Sequence, residues 1–263
     1  MIMVNMKQKQ HGKQTLKLKS KLVFHTEKKI HYIKITINQM MIMDAVMVDG
    51  GIGKYVGKHS DTNYSEHAGL LDFNKQLERI SISAKTNRED HDDKGILFPD
   101  VDFAEVKDYE YIFHTHPPSP HPGARAKLGI IYELPSPGDF LVFIDLFNRS
   151  LTQGSIIIAP EGAYVIRPLN MHIKKIDINE DQFFDDVEKT IDGIHECTAK
   201  QYGTKLSVKR FYAIVTTNTK PIQRLNDFLK PYGIHVTYKP RIKKKGRWIL
   251  NAMYLPVFVT ELA

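Results

Sequence analysis

The chain has 263 residues, of which 42% are hydrophobic, enough for one large domain or for a domain with an appendage. It contains no run of about 18 or more apolar residues, and its start is polar and lysine-rich, so we expect an intracellular protein, cytoplasmic or nuclear, with no membrane partner. The single cysteine, Cys197, excludes an internal disulfide and a thiolate metal cage. Any metal would need His and carboxylate ligands.

The formal net charge of +7 is confined to the start of the chain. Residues 1–29 contain eight lysines and one glutamate, whereas residues 30–263 sum to zero. A lysine-rich segment with little apolar content predicts a flexible arm, and weak contact with nucleic acid is the alternative interpretation. A second basic run, from Lys239 to Arg247, lies between two apolar stretches and is interpreted as a solvated hairpin tip.

The first half of the chain predicts several short elements. Apolar and polar residues alternate over 31–37, which predicts a strand, and the apolar run 40–48 predicts a helix or a second strand before the Gly50-Gly51 break. Two short segments bounded by polar residues, 66–71 and 79–83, predict strands. The aromatic and β-branched segment 109–116 predicts another strand, which ends at Pro117-Pro118.

The connection after this strand and the helix that follows it have clear boundary signals. Five prolines and two glycines between His116 and Ser136 exclude a single regular element. Ser136 is a candidate helix cap with Pro137 at the first helical position, and an apolar run follows over 140–147. The sequence therefore predicts a helix that begins directly after Ser136.

The rest of the chain predicts two more strands, 155–159 and 163–167, and then a smaller α+β unit from about Asn170. Asn179 is predicted to cap a helix that ends near Gly203. Four apolar residues are predicted to share one face of that helix: Phe184, Val187, Ile191 and Ile194. Apolar segments over 211–216, 222–229 (a helix), 234–238 and 248–259 complete the unit.

Three residues of this pattern suit a metal ion. Residues two apart in a strand project from the same face, so His114 and His116 present two imidazoles side by side. A catalytic zinc site usually has three protein ligands, and Asp139, in the first turn of the next helix, is the best-placed third candidate. His67 and His121 are weaker alternatives, because His67 points to the opposite strand face from Glu66 and His121 lies in the proline-rich connection.

The order His-x-His, then Ser-x-x-Asp, with a glutamate in an upstream strand, resembles the JAMM (MPN+) zinc metalloprotease family. The segment Ser65-Glu66-His67-Ala68-Gly69-Leu70-Leu71 is similar to the family's Glu-x-x-Gly-Leu-Leu strand, and Tyr111-Ile112-Phe113-His114-Thr115-His116-Pro117 is similar to its metal-binding strand. The resemblance covers roughly residues 31–168. One departure is the 19-residue connection 117–135, which is longer than in the family and is interpreted as a rim loop over the cleft.

The resemblance implies an α/β (α+β) fold with an MPN-like mixed sheet flanked by helices. It also implies that His114, His116 and Asp139 bind Zn²⁺, that Glu66 accepts a proton from the attacking water and that Ser136 stabilises the oxyanion. We expect residues 1–29 to form the arm, 30–169 the catalytic domain and 170–263 the C-terminal unit. That unit would position a substrate, bind a partner protein or complete the core.

Three functions remain open from the sequence. The first is an isopeptidase or peptidase that acts on ubiquitin or a ubiquitin-like protein. The second is a non-catalytic MPN-type interaction module with a basic, nucleic-acid-contacting arm, and the third is a JAMM hydrolase with another substrate. Each residue also has a structural alternative: a solvent-facing His pair, a capping Ser136, an Asp139 that complements the helix dipole and an exposed Glu66 at a strand edge.

Overall fold

The structure, a computed structural model, describes residues 23–25, 30–52, 55–56, 62–63, 66–73, 80–86, 111–118 and 120–258. Its strands are β1 (Val23–His25), β2 (Ile30–Ile35), β3 (Tyr55–Val56), β4 (Thr62–Asn63), β5 (His67–Phe73), β6 (Ile80–Thr86), β7 (Tyr111–Thr115), β8 (Gly154–Ile158), β9 (Gly162–Pro168), β10 (Ile234–Pro240), β11 (Ile242–Lys244), β12 (Arg247–Ile249) and β13 (Met253–Phe258). Its helices are α1 (Ile37–Ile52), α2 (Pro137–Asn148), α3 (Glu180–Tyr202), α4 (Val208–Val215) and α5 (Lys220–Leu229).

A six-stranded mixed sheet in the order β10-β9-β8-β7-β5-β6 forms the centre of the fold. Only β7 and β8 pair in parallel, and α2 lies in the connection between them. The other neighbours in this sheet pair antiparallel. The predicted mixed α and β class is confirmed.

Apolar residues of the central sheet alternate between two cores because successive strand residues point to opposite faces. On one face, Ile156 and Ile158 of β8 pack with α1 and with the small sheet β1-β2-β13. On the other face, Ile157 of β8 packs with residues of α2, α3, α4 and α5. The molecule therefore has three layers, and every strand residue of β7 and β8 is buried.

The segment after residue 170 completes the core of the segment before it. Strand β10 pairs with β9 along its whole length, and Ile234 and Val236 belong to the same apolar core as Ile166. At the other end, β13 pairs with β2. The helices of the predicted C-terminal unit thus form one layer of a shared fold.

Several local expectations are confirmed and others are corrected. The run 40–48 is part of helix α1, which continues through Gly50 and Gly51. In α3 the buried residue is Phe183, whereas Phe184 is exposed, so the predicted apolar face was wrong by one residue at that end. Of the predicted arm, residues 23–25 form strand β1, and the remainder lies outside the described residues. No helix within the described ranges is long and apolar enough to cross a membrane.

Arg241 departs most clearly from its predicted role as part of a solvated basic run. Its guanidinium is buried and donates two hydrogen bonds to the carboxylate of Asp44 in α1, at 2.8 and 2.5 Å. It also donates to the carbonyl oxygens of Pro160 (2.7 Å) and Ala159 (3.1 Å). Through this bidentate ion pair and these hydrogen bonds, Arg241, which follows β10, connects α1 to the turn between β8 and β9.

We expect Asp44→Ala to lower the free energy of unfolding by about 3 kcal/mol, because it leaves the buried charge of Arg241 without its partner. Asp145→Ala is the matched control, since Asp145 pairs with Arg149 where both side chains are about 60% exposed, and such pairs contribute at most about 1 kcal/mol. Urea unfolding of both variants measures the two effects. Equal losses in the two variants would contradict the assigned importance of the buried pair.

Candidate metal centre

The two candidate histidine ligands are positioned by the pairing of β7 with both of its neighbours. His114 lies opposite Ala68 of β5 and beside Ile157 of β8. His116 follows the end of the strand, but its amide still donates to the carbonyl oxygen of Ile158 at 2.8 Å, which extends the ladder by one step. Both imidazoles therefore project toward the α2 side of the sheet, as the spacing predicted.

Asp139 reaches the histidines from the first turn of α2, where a capping box holds it. The Ser136 hydroxyl oxygen accepts from the Asp139 amide at 3.2 Å, and Asp139 Oδ2 accepts from the Ser136 amide at 2.7 Å. Pro137 occupies the first turn, where its missing N–H group costs no helical hydrogen bond. The predicted cap is confirmed, and it fixes the rotamer of the aspartate.

The three side chains converge on one point. His114 Nε2 lies 3.0 Å from Asp139 Oδ1 and 3.2 Å from His116 Nε2, and His116 Nε2 lies 3.6 Å from Asp139 Oδ2. Tetrahedral zinc with nitrogen and oxygen ligands places neighbouring ligand atoms about 3.3 Å apart. A buried His-His-Asp group of this size can bind a metal ion, and its donor set suits a divalent transition metal.

Neighbouring charges shift the pKa values of two residues of this group, His116 and Asp139. Burial acts to lower the pKa of His116, but the hydrogen bond to Asp139 and the charges of Glu66, Asp139 and Glu133 outweigh it and raise that pKa to about 10. Burial acts to raise the pKa of Asp139, and His114 and His116 together hold it well below its usual range. The surroundings of His116 therefore favour a positive charge at this position.

Glu66 lies directly before β5 and shares the cleft with the metal-ligand candidates. Because Ala68 is opposite His114, the antiparallel register brings Glu66 level with His116 on the same face. His67 falls on the other face, where its amide donates to Thr115 Oγ1 at 3.0 Å and its ring lies 3.6 Å from Asp49. The predicted difference in direction between Glu66 and His67 is confirmed, and His121, the other alternative, is exposed outside this group.

Ser136 both caps helix α2 and lines the cleft. Its oxygen accepts the capping hydrogen bond, and its side chain lines the same cleft as Asp139. A hydroxyl group that accepts through a lone pair still has its proton to donate. The cap therefore does not prevent Ser136 from donating to a ligand in the cleft.

The cleft has a volume of about 810 Å³, and one wall comes from the 117–135 connection. The prediction that this connection is only a rim loop was wrong for its second half. Ile131, Tyr132 and Leu134 are buried in the core on the helix side, and the Tyr132 hydroxyl donates to the Asn218 carbonyl oxygen at 2.7 Å. After the 3₁₀ turn Ala124–Leu128, this segment is therefore part of the packed interior and cannot be shortened without opening a cavity.

Two acidic groups near the candidate metal centre carry no signal in the sequence. Glu133 lines the cleft, pairs with Arg125 and has its pKa raised by burial, with Glu66 adding to that effect and Arg125 and His116 opposing it. Behind it, the fully buried carboxyl group of Glu161 accepts from the Glu133 amide at 2.5 Å and from the Tyr164 hydroxyl at 2.6 Å.

Another wall of the cleft belongs to α3, where no sequence pattern indicated a site. Glu188 and Asp192 lie one turn apart, are exposed and line the cleft beside the buried Ile191. The helical spacing identified the buried face of α3, and an acidic pair next to that face is the only signal that could have drawn attention to these residues.

The chain is similar to an uncharacterized protein of Acanthamoeba polyphaga mimivirus, with 34% identity over 235 residues. The matched region is 85% of this chain and 65% of the mimivirus protein, so the chain spans less than two thirds of that relative's length. No protein-family description matches the chain, and no solved structure matches it.

We expect the purified protein to bind about one divalent transition-metal ion per chain, and His114→Ala combined with His116→Ala to abolish binding, because one carboxylate cannot hold the ion alone. His121→Ala combined with His172→Ala is the matched control, since both side chains are exposed and neither belongs to the converging group. Elemental analysis after dialysis gives the stoichiometry. Full metal content in the first double variant would contradict this site.

The raised pKa of the buried Glu161 carboxyl group predicts that the stability of the protein depends on pH. Burial and the neighbouring Glu133 charge raise its pKa from 4.5 to about 7, against the opposing hydrogen bond from Tyr164. Its contribution to stability is therefore complete below about pH 4.5 and is lost as the pH rises through 7. Glu161→Gln should remove this dependence, so that between pH 4.5 and 8 the variant gains on the order of 3 kcal/mol relative to the wild type.

Urea unfolding at several pH values measures this difference, with Glu196→Gln on the exposed surface of α3 as the control. A difference between Glu161→Gln and wild type that does not change with pH would show that Glu161 is not protonated preferentially in the folded state.

Proposed function

We propose that this chain is a zinc-dependent hydrolase of the JAMM type, which cleaves an isopeptide or peptide bond in ubiquitin or a ubiquitin-like protein. The observation that carries the proposal is the convergence of His114, His116 and Asp139 at distances of 3.0 to 3.6 Å, with Glu66 and Ser136 lining the same cleft. Four of these five residues, Glu66, His116, Ser136 and Asp139, thus line one cleft. The fifth, His114, is buried beside Asp139 and His116.

Zinc is the metal that fits this donor set best. Two imidazole nitrogens and one carboxylate oxygen with near-tetrahedral spacing are typical of catalytic zinc sites, in which a fourth position remains for water or substrate. Cys197, the one soft thiol ligand in the sequence, is exposed on α3 and is not a member of the group. When bound, zinc supplies a Lewis acid that lowers the pKa of a coordinated water to about 7.

The chain's own residues supply the remaining steps. Glu66 takes a proton from the attacking water as its oxygen bonds to the carbonyl carbon, and returns that proton to the departing amine as the C–N bond breaks. The Ser136 hydroxyl donates to the oxygen on which negative charge develops. The capping box keeps Ser136 and Asp139 in fixed positions, so neither group has to reorganise during the reaction.

The charges of the cleft favour a basic substrate segment. Glu188 and Asp192 form an exposed acidic wall, and Arg125, the arginine that lines the cleft, is already paired with Glu133. The negative charge of this wall attracts cations and repels acidic segments of a substrate. We therefore expect Lys or Arg in the substrate segment that lies along α3.

A non-catalytic metal-binding module is the alternative from another class. It would bind the metal and a partner protein without turnover, and Glu66 would then be replaceable without consequence. The presence of Glu66 in the cleft favours the enzyme, because a module has no need of a carboxylate base there. Ser136 does not separate the two functions, since its hydroxyl caps α2 in either case.

We expect Glu66→Gln to keep the fold and the metal and to reduce hydrolysis by about 100- to 10,000-fold, because the amide has a similar size but cannot accept the proton. The control is Glu196→Gln, which makes the same change on the exposed surface of α3 outside the cleft. The assay uses a panel of ubiquitin and ubiquitin-like proteins, each joined through its C-terminus to a lysine side chain. A Glu66→Gln protein that cleaves at the wild-type rate would exclude Glu66 as the base, and metal binding without turnover of any panel member by wild type would favour the module.

A further inference from the structure

Strands β11 and β12 form a separate two-stranded ribbon with a tight turn. Both turn residues have positive φ, 48° at Lys245 and 81° at Gly246. This conformation is typical of two-residue hairpins, whose first turn position favours Asn, Asp or Gly. A lysine there accepts an unfavourable backbone conformation and places its charge at the tip.

The ribbon concentrates positive charge that the rest of the described chain does not neutralise. Among the described residues, the four exposed cations at the tip form no ion pair with a carboxylate: Lys243, Lys244, Lys245 and Arg247. No acidic residue occurs between positions 239 and 249. Since residues 30–263 have a net charge of zero, this is a local concentration of charge rather than part of a generally basic surface.

Within the ribbon, like charges face each other. Lys244 pairs directly with Arg247 across the two strands. Two cations in directly opposed positions destabilise a hairpin. This repulsion is a cost in the free protein that a bound polyanion would relieve.

The base of the ribbon contacts α1, the turn after β8 and α4. Arg241, directly before β11, is fixed by Asp44 and by the Pro160 carbonyl oxygen. Trp248 of β12 stacks on Tyr212 of α4, with ring centroids 4.6 Å apart and planes 16° apart. Because Lys244 and Arg247 lie on the ribbon face opposite to Trp248, the stack turns them away from the body.

We propose that this ribbon is a binding site for the phosphate backbone of nucleic acid. The five tip residues 243–247 are four cations and one glycine, so the tip has no apolar side chain. Stable membrane attachment requires an apolar anchor besides basic residues, and a protein interface requires an apolar centre. Contacts to phosphates need neither, because they depend on Lys and Arg charge and on counterion release.

The test is fluorescence anisotropy of the full chain with labelled duplexes of about 20 base pairs, one of DNA and one of RNA, at several salt concentrations. We expect the triple variant Lys244→Gln, Lys245→Gln and Arg247→Gln to bind roughly tenfold or more weakly at low salt. Its slope of log affinity against log salt should be smaller by about 2.7, since each phosphate contact contributes about 0.9. The matched control carries the same charge change at three separate exposed sites, Lys174→Gln, Lys200→Gln and Lys220→Gln.

The lysine-rich residues 1–29 are identical in all three proteins, so the difference between the two variants isolates the ribbon. The melting temperature of the ribbon variant should equal or exceed that of wild type, because the repulsion at the tip is removed. Weaker binding by the ribbon variant than by the control variant, to both duplexes or to one of them, supports the proposal and identifies the nucleic acid. Absence of wild-type binding to either duplex, or equal binding by both variants, would overturn it.

Discussion

The capping box at the start of α2 is the interaction on which the candidate metal centre depends. Asp139 is a buried carboxylate, and a buried anion is tolerated only where hydrogen bonds and opposite charge replace the lost water. The Ser136 amide, the positive end of the helix dipole and the two imidazoles provide this compensation. Because the cap fixes Asp139, the positions of His114 and His116 determine where a cation can bind.

The central sheet fixes those two positions by pairing on both sides of β7. Strand β5 brings Glu66 level with His116, and β8 carries the ladder past the end of β7. The 117–135 connection and α3 then contribute walls to the cleft, the first with Glu133 and the second with Glu188. The site is therefore rigid at its base, where the ligands lie, and acidic along its walls.

The parts of the fold with local signals could be predicted from the sequence. The Ser136-Pro137 start of α2 and the direction of the two histidines follow from cap chemistry and strand alternation. The roles of Arg241 and Glu133 could not be predicted, because Asp44 is 197 residues from Arg241 and Glu161 is 28 residues from Glu133. Likewise, Phe183 and Phe184 both suit a helix face, and the packing against α2 and α5 selects Phe183.

The most direct measurement is anomalous diffraction at the zinc absorption edge from crystals of the zinc-loaded protein. The account predicts one strong peak about 2.0 to 2.2 Å from His114 Nε2, His116 Nε2 and an Asp139 carboxylate oxygen. A peak at another group of residues, or none between β7 and the start of α2, would contradict the metal centre and the hydrolase that is proposed from it.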